Sequence, residues 1–325
     1  MAENSREPRI VVIGGGTGLS VLLKGLKKYS SHLTAVVTVT DDGGSSGRLR
    51  AELGVLPPGD IRNCLVALAE TETLMDKVFQ HRFFQEGSLK GHNLGNLLLV
   101  AMTEIAGDFI SAINEVSKIL AVRGKVIPAT LEHVALGARM QDGLTIYGET
   151  LIRNYNGQIA ELFLIPEKCM PVPETLNAIM EADAVVIGPG SLYSSIIPNL
   201  LVEGVVDAIK KTPALTFYVS NIMTEQGETD AYSCADHLEA ILKHVGVQIF
   251  DYVVINNGLL DETRLKRYRE EKAVPVQMSL KAIQEMGIEI IQDDLLLKSN
   301  LAWHDSEKLA RLIINKLGII RAVKV

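Results

Sequence analysis

RIVVIGGGTGLSVLLKGLKKY at residues 9–29, followed by LTAVVTVTDD at 33–42, decides the fold. Arg9 to Ile13 is a β-branched run that stops at glycine, as a buried strand does. Leu19, Leu22, Leu23 and Leu26 then recur at helical spacing up to Tyr29. Leu33 to Val39 is a second strand-like run, ending at Thr40-Asp41-Asp42. Strand, glycine turn, helix, strand is a βαβ unit and predicts a parallel sheet.

The same rhythm returns later in the chain. Ala184 to Ile187 ends in Gly188-Pro189-Gly190, Ala214 to Val219 ends in Ser220-Asn221, and Tyr252 to Ile255 ends in Asn256-Asn257-Gly258. Apolar spacing predicts helices over 61–70, 74–84, 94–105, 109–120, 235–244 and 307–317, with Asp60 and Asn93 in N-cap positions. Residues 125–165 differ. Val126-Ile127 and the runs 133–139, 144–154 and 159–165 read as short strands, with Asp142-Gly143 and Asn156-Gly157 as hairpin turn pairs. The expectation is an α/β, Rossmann-like three-layer sandwich with a mostly parallel sheet, one domain over 8–320, carrying a small β-rich insertion at 125–165.

Composition narrows the function. At 325 residues with 47% hydrophobic and 22% charged residues, the chain can bury a large core, which excludes a disordered one. A net charge of −7 argues against nucleic acid as a partner, because a phosphate-backbone binder is usually basic. Cys64, Cys169 and Cys234 are far apart without a CxxC, which disfavours disulfides and zinc and suits buried thiols in a reducing compartment. Met1 to Pro8 lacks the apolar stretch of a signal peptide, and no run approaches the roughly 18 apolar residues of a membrane span. These features predict a cytoplasmic protein without membrane insertion.

In an open parallel sheet, ligands bind outside the carboxyl ends of the strands. Gly14-Gly15-Gly16-Thr17-Gly18 lies at the first such end, where backbone N–H groups and the dipole of the next helix suit a phosphate. It is neither GxGxxG nor a P-loop, which weakens a nicotinamide dehydrogenase or an ATPase. Gly188-Pro189-Gly190-Ser191 is a second phosphate-type loop; the pair favours a dinucleotide or a nucleotide-diphosphate conjugate. Asp41 and Asp42 are adjacent carboxylates able to hold Mg²⁺, a ribose hydroxyl or a substrate hydroxyl. Asp60 suits a plain N-cap better than a functional role. Arg62 and Asn63 could face the same cleft, and His92 stands before a cap as a proton donor or as a structural residue. Asn221 suits a base or sugar edge, and Tyr268 a stacked base or simple packing.

Six motifs taken together resemble the YvcK/CofD-like family: GGGTG at 14–18, TDDGGSSGRLR at 40–50, PPGDIRNCL at 57–65, GHNLGNL at 91–97, GPGSLYSSIIPNL at 188–200 and NIMTEQGET at 221–229. The resemblance runs from about residue 10 to 305 and is nearer to the YvcK branch, the bacterial gluconeogenesis factors. It implies a cytoplasmic Rossmann-like protein linked to cell shape and cell-wall synthesis during gluconeogenic growth, with regulators of wall synthesis as partners. It also implies a nucleotide sugar such as UDP-N-acetylglucosamine as ligand. The enzymatic CofD branch transfers a phospholactyl group from a guanosine diphosphate conjugate to a deazaflavin with Mg²⁺.

Carried over by position, the resemblance puts nucleotide contacts on Gly15, Gly16, Thr17, Gly18, Gly188, Pro189, Gly190, Ser191, Asn221 and Tyr268. It puts metal or acceptor contacts on Asp41 and Asp42. No cofactor is obligatory, Mg²⁺ being an optional one, and a homo-oligomer, a dimer, is expected. One departure stands out: where the family has Arg-His-Asp, this chain has Trp303-His304-Asp305, so where that arginine holds the nucleotide, either Trp303 replaces it by stacking or affinity is reduced.

Three functions follow. The first is a nucleotide-sugar sensor without catalysis, since no nucleophile–base pair accompanies the loops. The second is a Mg²⁺-dependent phosphoryl-type transferase, with Asp41, Asp42 and His92 as candidate catalytic groups. The third, a dinucleotide redox protein, is disfavoured because Asp42 lies about 28 residues beyond Gly14 rather than the usual ~20.

Overall fold

The computed structural model describes residues 6–70, 74–155 and 157–323. Seven strands form one sheet: β1 (Ile10–Gly14), β2 (Leu33–Val37), β3 (Lys125–Pro128), β7 (Ala184–Ile187), β8 (Leu215–Val219), β9 (Tyr252–Asn256) and β10 (Glu289–Asp293). Between β3 and β7 the chain makes a separate small sheet of β4 (Ala135–Met140), β5 (Thr145–Tyr147) and β6 (Ile159–Ile165). The large sheet has the order β10-β9-β8-β7-β1-β2-β3, and every pairing in it is parallel. From β1 the chain winds outward through β2 to β3, then returns to β7 on the other side of β1 and winds out to β10. Right-handed crossovers in opposite directions place helices on opposite faces, so the expected α/β sandwich stands.

The central strands are apolar because both faces are covered: all five residues of β1 and all four of β7 are buried. Helix α1 (Gly16–Leu26) buries Leu19, Leu22, Leu23 and Leu26 and packs on α3 (Gly59–Leu68) and on the C-terminal helix Ser306–Val323. Cys64, Cys169 and Cys234 are buried free thiols. Among the described residues no single helix is long and apolar enough to cross a membrane.

Several local expectations change. Gly44–Leu53, outside the predicted helices, is helix α2; only Ser45, Ser46 and Leu49 of it are buried, so it carries little apolar periodicity. β10 was missed because it is an edge strand with no fully buried residue. Lys125–Pro128 opens the β-rich stretch in sequence but pairs with β2 as the edge of the large sheet. The small sheet is antiparallel in the order β5-β4-β6, with the Asp142-Gly143 turn joining β4 to β5. Asn156 of the second turn pair lies outside the described residues. The run 144–154 splits into the short β5 and a helix, Glu149–Asn154.

Candidate functional site

The strand order reverses between β1 and β7, and the two glycine loops leave the sheet at their carboxyl ends. That crevice is where an open α/β sheet presents a ligand site. It opens into a cleft of ≈ 990 Å³. Gly15, Gly16, Thr17, Gly18, Pro189, Gly190, Ser191, Asn221 and Tyr268 line it, together with Trp303 and His304. Gly188 lies buried behind its loop and outside the lining.

The glycines serve the protein's own packing as much as a ligand. A Cβ on Gly18 would stand 2.6 Å from the Pro189 carbonyl oxygen, so the two loops touch backbone to backbone there. A Cβ on Gly15 would meet Asp60 Oδ2 at 2.6 Å and Thr38 Cγ2 at 2.8 Å. Gly16 has a positive φ of +64°, and a Cβ there would meet only Ser195 Oγ, at an ordinary 3.9 Å. The glycine-rich run therefore exceeds a simple turn because Asp60, Thr38 and Pro189 crowd against it.

Asp60 is the clearest revision. The N-cap of α3 is Pro58, with Asp60 inside the first turn. Its carboxylate instead accepts the Gly16 N–H, and burial lifts its pKa to about 6 against that bond. Asp60 thus holds the first turn of α1, whose remaining N–H groups have no intrahelical partners. Asn93 is an N-cap as expected, accepting from the Asn96 N–H at 3.1 Å.

The second loop is braced from three sides. Asn221 exchanges two hydrogen bonds with the Gly190 backbone. Ser191 Oγ donates to Glu225 Oε2 at 2.6 Å, and the Tyr193 N–H donates to Glu228 Oε2 at 3.1 Å. Burial raises the carboxyl of Glu225 above the ordinary range and lifts Glu228, with the Glu225 charge adding, to about 7. Glu149 is pushed up to about 9, first by burial and then by the charges of Asp41, Glu228, Asp42 and Asp60. Burial is thus the first cause of the raised pKa at each of these three carboxyl groups.

Asp41, Asp42 and His92 do not line the cleft. Asp41 Oδ1 accepts the Gly43 N–H at 2.9 Å, and Asp42 Oδ1 accepts both the N–H and the hydroxyl of Thr150. Each keeps its Oδ2 outside these bonds, which leaves donors of the type Mg²⁺ takes. Among the described residues no three His, Cys, Asp or Glu side chains form a metal-ligand group. His92 lies between α2 and the helix Leu94–Ala106, 3.2 Å from Ser45 Oγ, with its pKa lowered chiefly by burial. Arg62 is buried on Asn96 and Asn63 and is likewise absent from the lining.

Sequence reasoning missed Arg153 and Lys272, the two cationic side chains of the lining. Arg153 was hidden because its segment was read as strand. Lys272, at φ +54°, follows the charged helix Glu262–Glu270 and carried no motif. Tyr268 is partly buried in a small apolar cluster, and its hydroxyl accepts the Ala302 N–H at 3.0 Å.

The 2-phospho-L-lactate transferase CofD family matches residues 10–296. A Bacillus subtilis (strain 168) protein named gluconeogenesis factor is 48% identical over 313 residues, 96% of this chain and 99% of its own length. A protein of the same name from Halalkalibacterium halodurans is 47% identical, covering 95% of this chain and 96% of that one. A crystal structure of a Bacillus halodurans protein is similar with a TM-score of 0.92 at 47% identity, covering 95% of this chain and 100% of that chain.

Proposed function

Because the chain belongs to the CofD family, we propose that its cleft binds a nucleotide-diphosphate conjugate, a UDP-sugar such as UDP-N-acetylglucosamine. The bound state acts as a cytoplasmic signal in the control of cell shape and wall synthesis during gluconeogenic growth. The observation that supports this most is the pairing of two glycine loops at the switch point, with Arg153 and Lys272 facing the same space. Backbone N–H groups, a helix N-terminus and two cations suit a diphosphate, and the cleft volume suits a conjugate larger than a mononucleotide. The reading treats residues 8–320 as one CofD-like domain, since the lining runs from Gly15 to His304. Calorimetry with UDP-N-acetylglucosamine tests it. Saturable heat is expected; a folded protein that takes up none at millimolar ligand overturns it.

A second reading, a Mg²⁺-dependent phospholactyl-type transferase, draws on Asp41 and Asp42. Their free oxygens would hold the ion, which supplies charge neutralisation at a diphosphate when bound. In this chain Asp60 links that loop to α1: it accepts from Gly16 and feels the charge of Asp41. Incubation with a guanosine diphosphate conjugate, a deazaflavin and Mg²⁺ should yield product that Asp42→Asn abolishes. Absence of turnover across several acceptors leaves the non-catalytic reading.

A further inference from the structure

No nucleophile–base pair is visible along the chain, yet the fold assembles one inside the cleft. Ser191 ends the loop after β7, and Glu225 stands 34 residues further on, beyond β8. Both line the cleft and both are partly exposed. Ser191 Oγ donates to Glu225 Oε2 at 2.6 Å. The Glu225 backbone is held in turn: its N–H donates at 2.8 Å to Oγ1 of Thr229, a fully buried residue.

Ser191 occupies the N-cap position of the π-helical turn Leu192–Ile196, where a serine ordinarily accepts a helix N–H. This serine makes no such bond. The Tyr193 N–H goes to Glu228 Oε2 instead. The Ser191 hydroxyl therefore points its proton at a carboxylate and, among the described residues, accepts from no donor. That is the arrangement of a hydroxyl activated by an adjacent base.

Bracing alone does not account for Glu225. A neutral amide, Asn221, already braces this loop at Gly190. A carboxylate beside a phosphate site repels the ligand, which a packing role would avoid and a chemical role requires. Burial raises the Glu225 pKa above the ordinary range, as suits a base working nearer neutral pH, while the Arg153 charge acts the other way.

We propose that Ser191 and Glu225 form a nucleophile–base dyad that hydrolyses the diphosphate bridge of the bound conjugate. Ser191 Oγ attacks one phosphorus of the bridge as its proton passes to Glu225 Oε2. An Oγ–P bond forms, the bridging P–O bond breaks, and the other half departs as a phosphate monoester. Arg153 and Lys272, in the same cleft, suit the charge of that departing phosphate. Water then attacks the seryl phosphorus, the Oγ–P bond breaks, Glu225 returns the proton to Oγ, and the proton of the water goes to solvent. One water is consumed and two monophosphates form. The inference rests on the nucleotide-diphosphate reading above and adds a reaction that ends the bound state.

The test incubates wild-type protein with UDP-N-acetylglucosamine, follows UMP by chromatography, and weighs the Ser191 peptide after acid quenching. UMP release and a seryl phosphoester are expected, and the adduct mass names the phosphorus attacked. Ser191→Ala should lose both while calorimetry still shows ligand uptake. Glu225→Gln keeps an acceptor for the hydroxyl but takes no proton. It should cut turnover by about 100-fold or more and lose the fall in rate at acid pH, with melting temperature as in wild type. This variant also serves if Ser191→Ala does not fold. Ligand uptake without UMP release overturns the inference and leaves the nucleotide reading intact. Release without a seryl adduct, or at the wild-type rate in either variant, does the same. No uptake of the ligand overturns both.

Discussion

Asn221 grips Gly190 in both directions: its Oδ1 accepts the Gly190 N–H at 3.1 Å, and its Nδ2 donates to the Gly190 carbonyl at 2.9 Å. The end of β8 is thereby tied to the loop after β7. The side chain that the resemblance assigns to a nucleotide edge sets the shape of the loop meant to hold the phosphates.

Asn221→Ala removes both bonds. It should lower stability by about 1–3 kcal/mol and weaken UDP-sugar binding at the same time. Urea unfolding and calorimetry on one preparation check this. Binding unchanged with stability reduced would restrict the residue to folding.

Gly18→Ala places a methyl carbon against the Pro189 carbonyl. The strand-end loops must separate, at a cost of about 1–3 kcal/mol, and ligand affinity should fall with them. Gly16→Ala makes no such clash, and only its positive φ is strained, at about 1 kcal/mol. The order of the two Tm values decides between loop packing and backbone conformation.

Glu149 predicts the pH response. Its folded pKa of about 9 lies above its ordinary 4.5, so the folded state holds the extra proton between those values. The stabilisation is complete below about 4.5 and is lost as pH rises toward about 9, at up to about 1.4 kcal/mol per pH unit. Glu228, lifted to about 7, acts in the same sense. Urea melts from about pH 6 to 8.5 should show falling stability in the wild type and a flatter, higher profile in Glu149→Gln. An unchanged slope in the variant would contradict this assignment.

Arg153 and Lys272 bring positive charge to the cleft. Arg153→Ala and Lys272→Ala should each weaken UDP-sugar binding by about 10-fold, and more at low salt. Uridine without phosphates should bind all three proteins alike. A loss that extends equally to uridine would place these cations away from the diphosphate.

Much of this was legible in advance, for physical reasons. Ile10–Gly14 and Ala184–Ile187 read as strands because burial on both faces demands unbroken apolar runs. Asn93 read as a cap because a cap is a local bond between neighbours three residues apart. Where burial was thin the pattern failed: β10 lies exposed at an edge, α2 buries only three of its residues, and the short helix Glu149–Asn154 is begun by the distant carboxylate of Asp42 accepting from Thr150.

By itself the sequence determined the alternation of strands and helices and the glycine loops at the strand ends, since periodicity and turn chemistry act between near neighbours along the chain. Tertiary structure decided what those loops touch. Asp60 became a brace on Gly16 instead of a cap, Pro189 became the reason for Gly18, and Arg153 and His304 joined a wall they share with residues far away in sequence. A side chain's neighbours across a cleft follow from the packing of the whole sheet, and no local pattern carries that information.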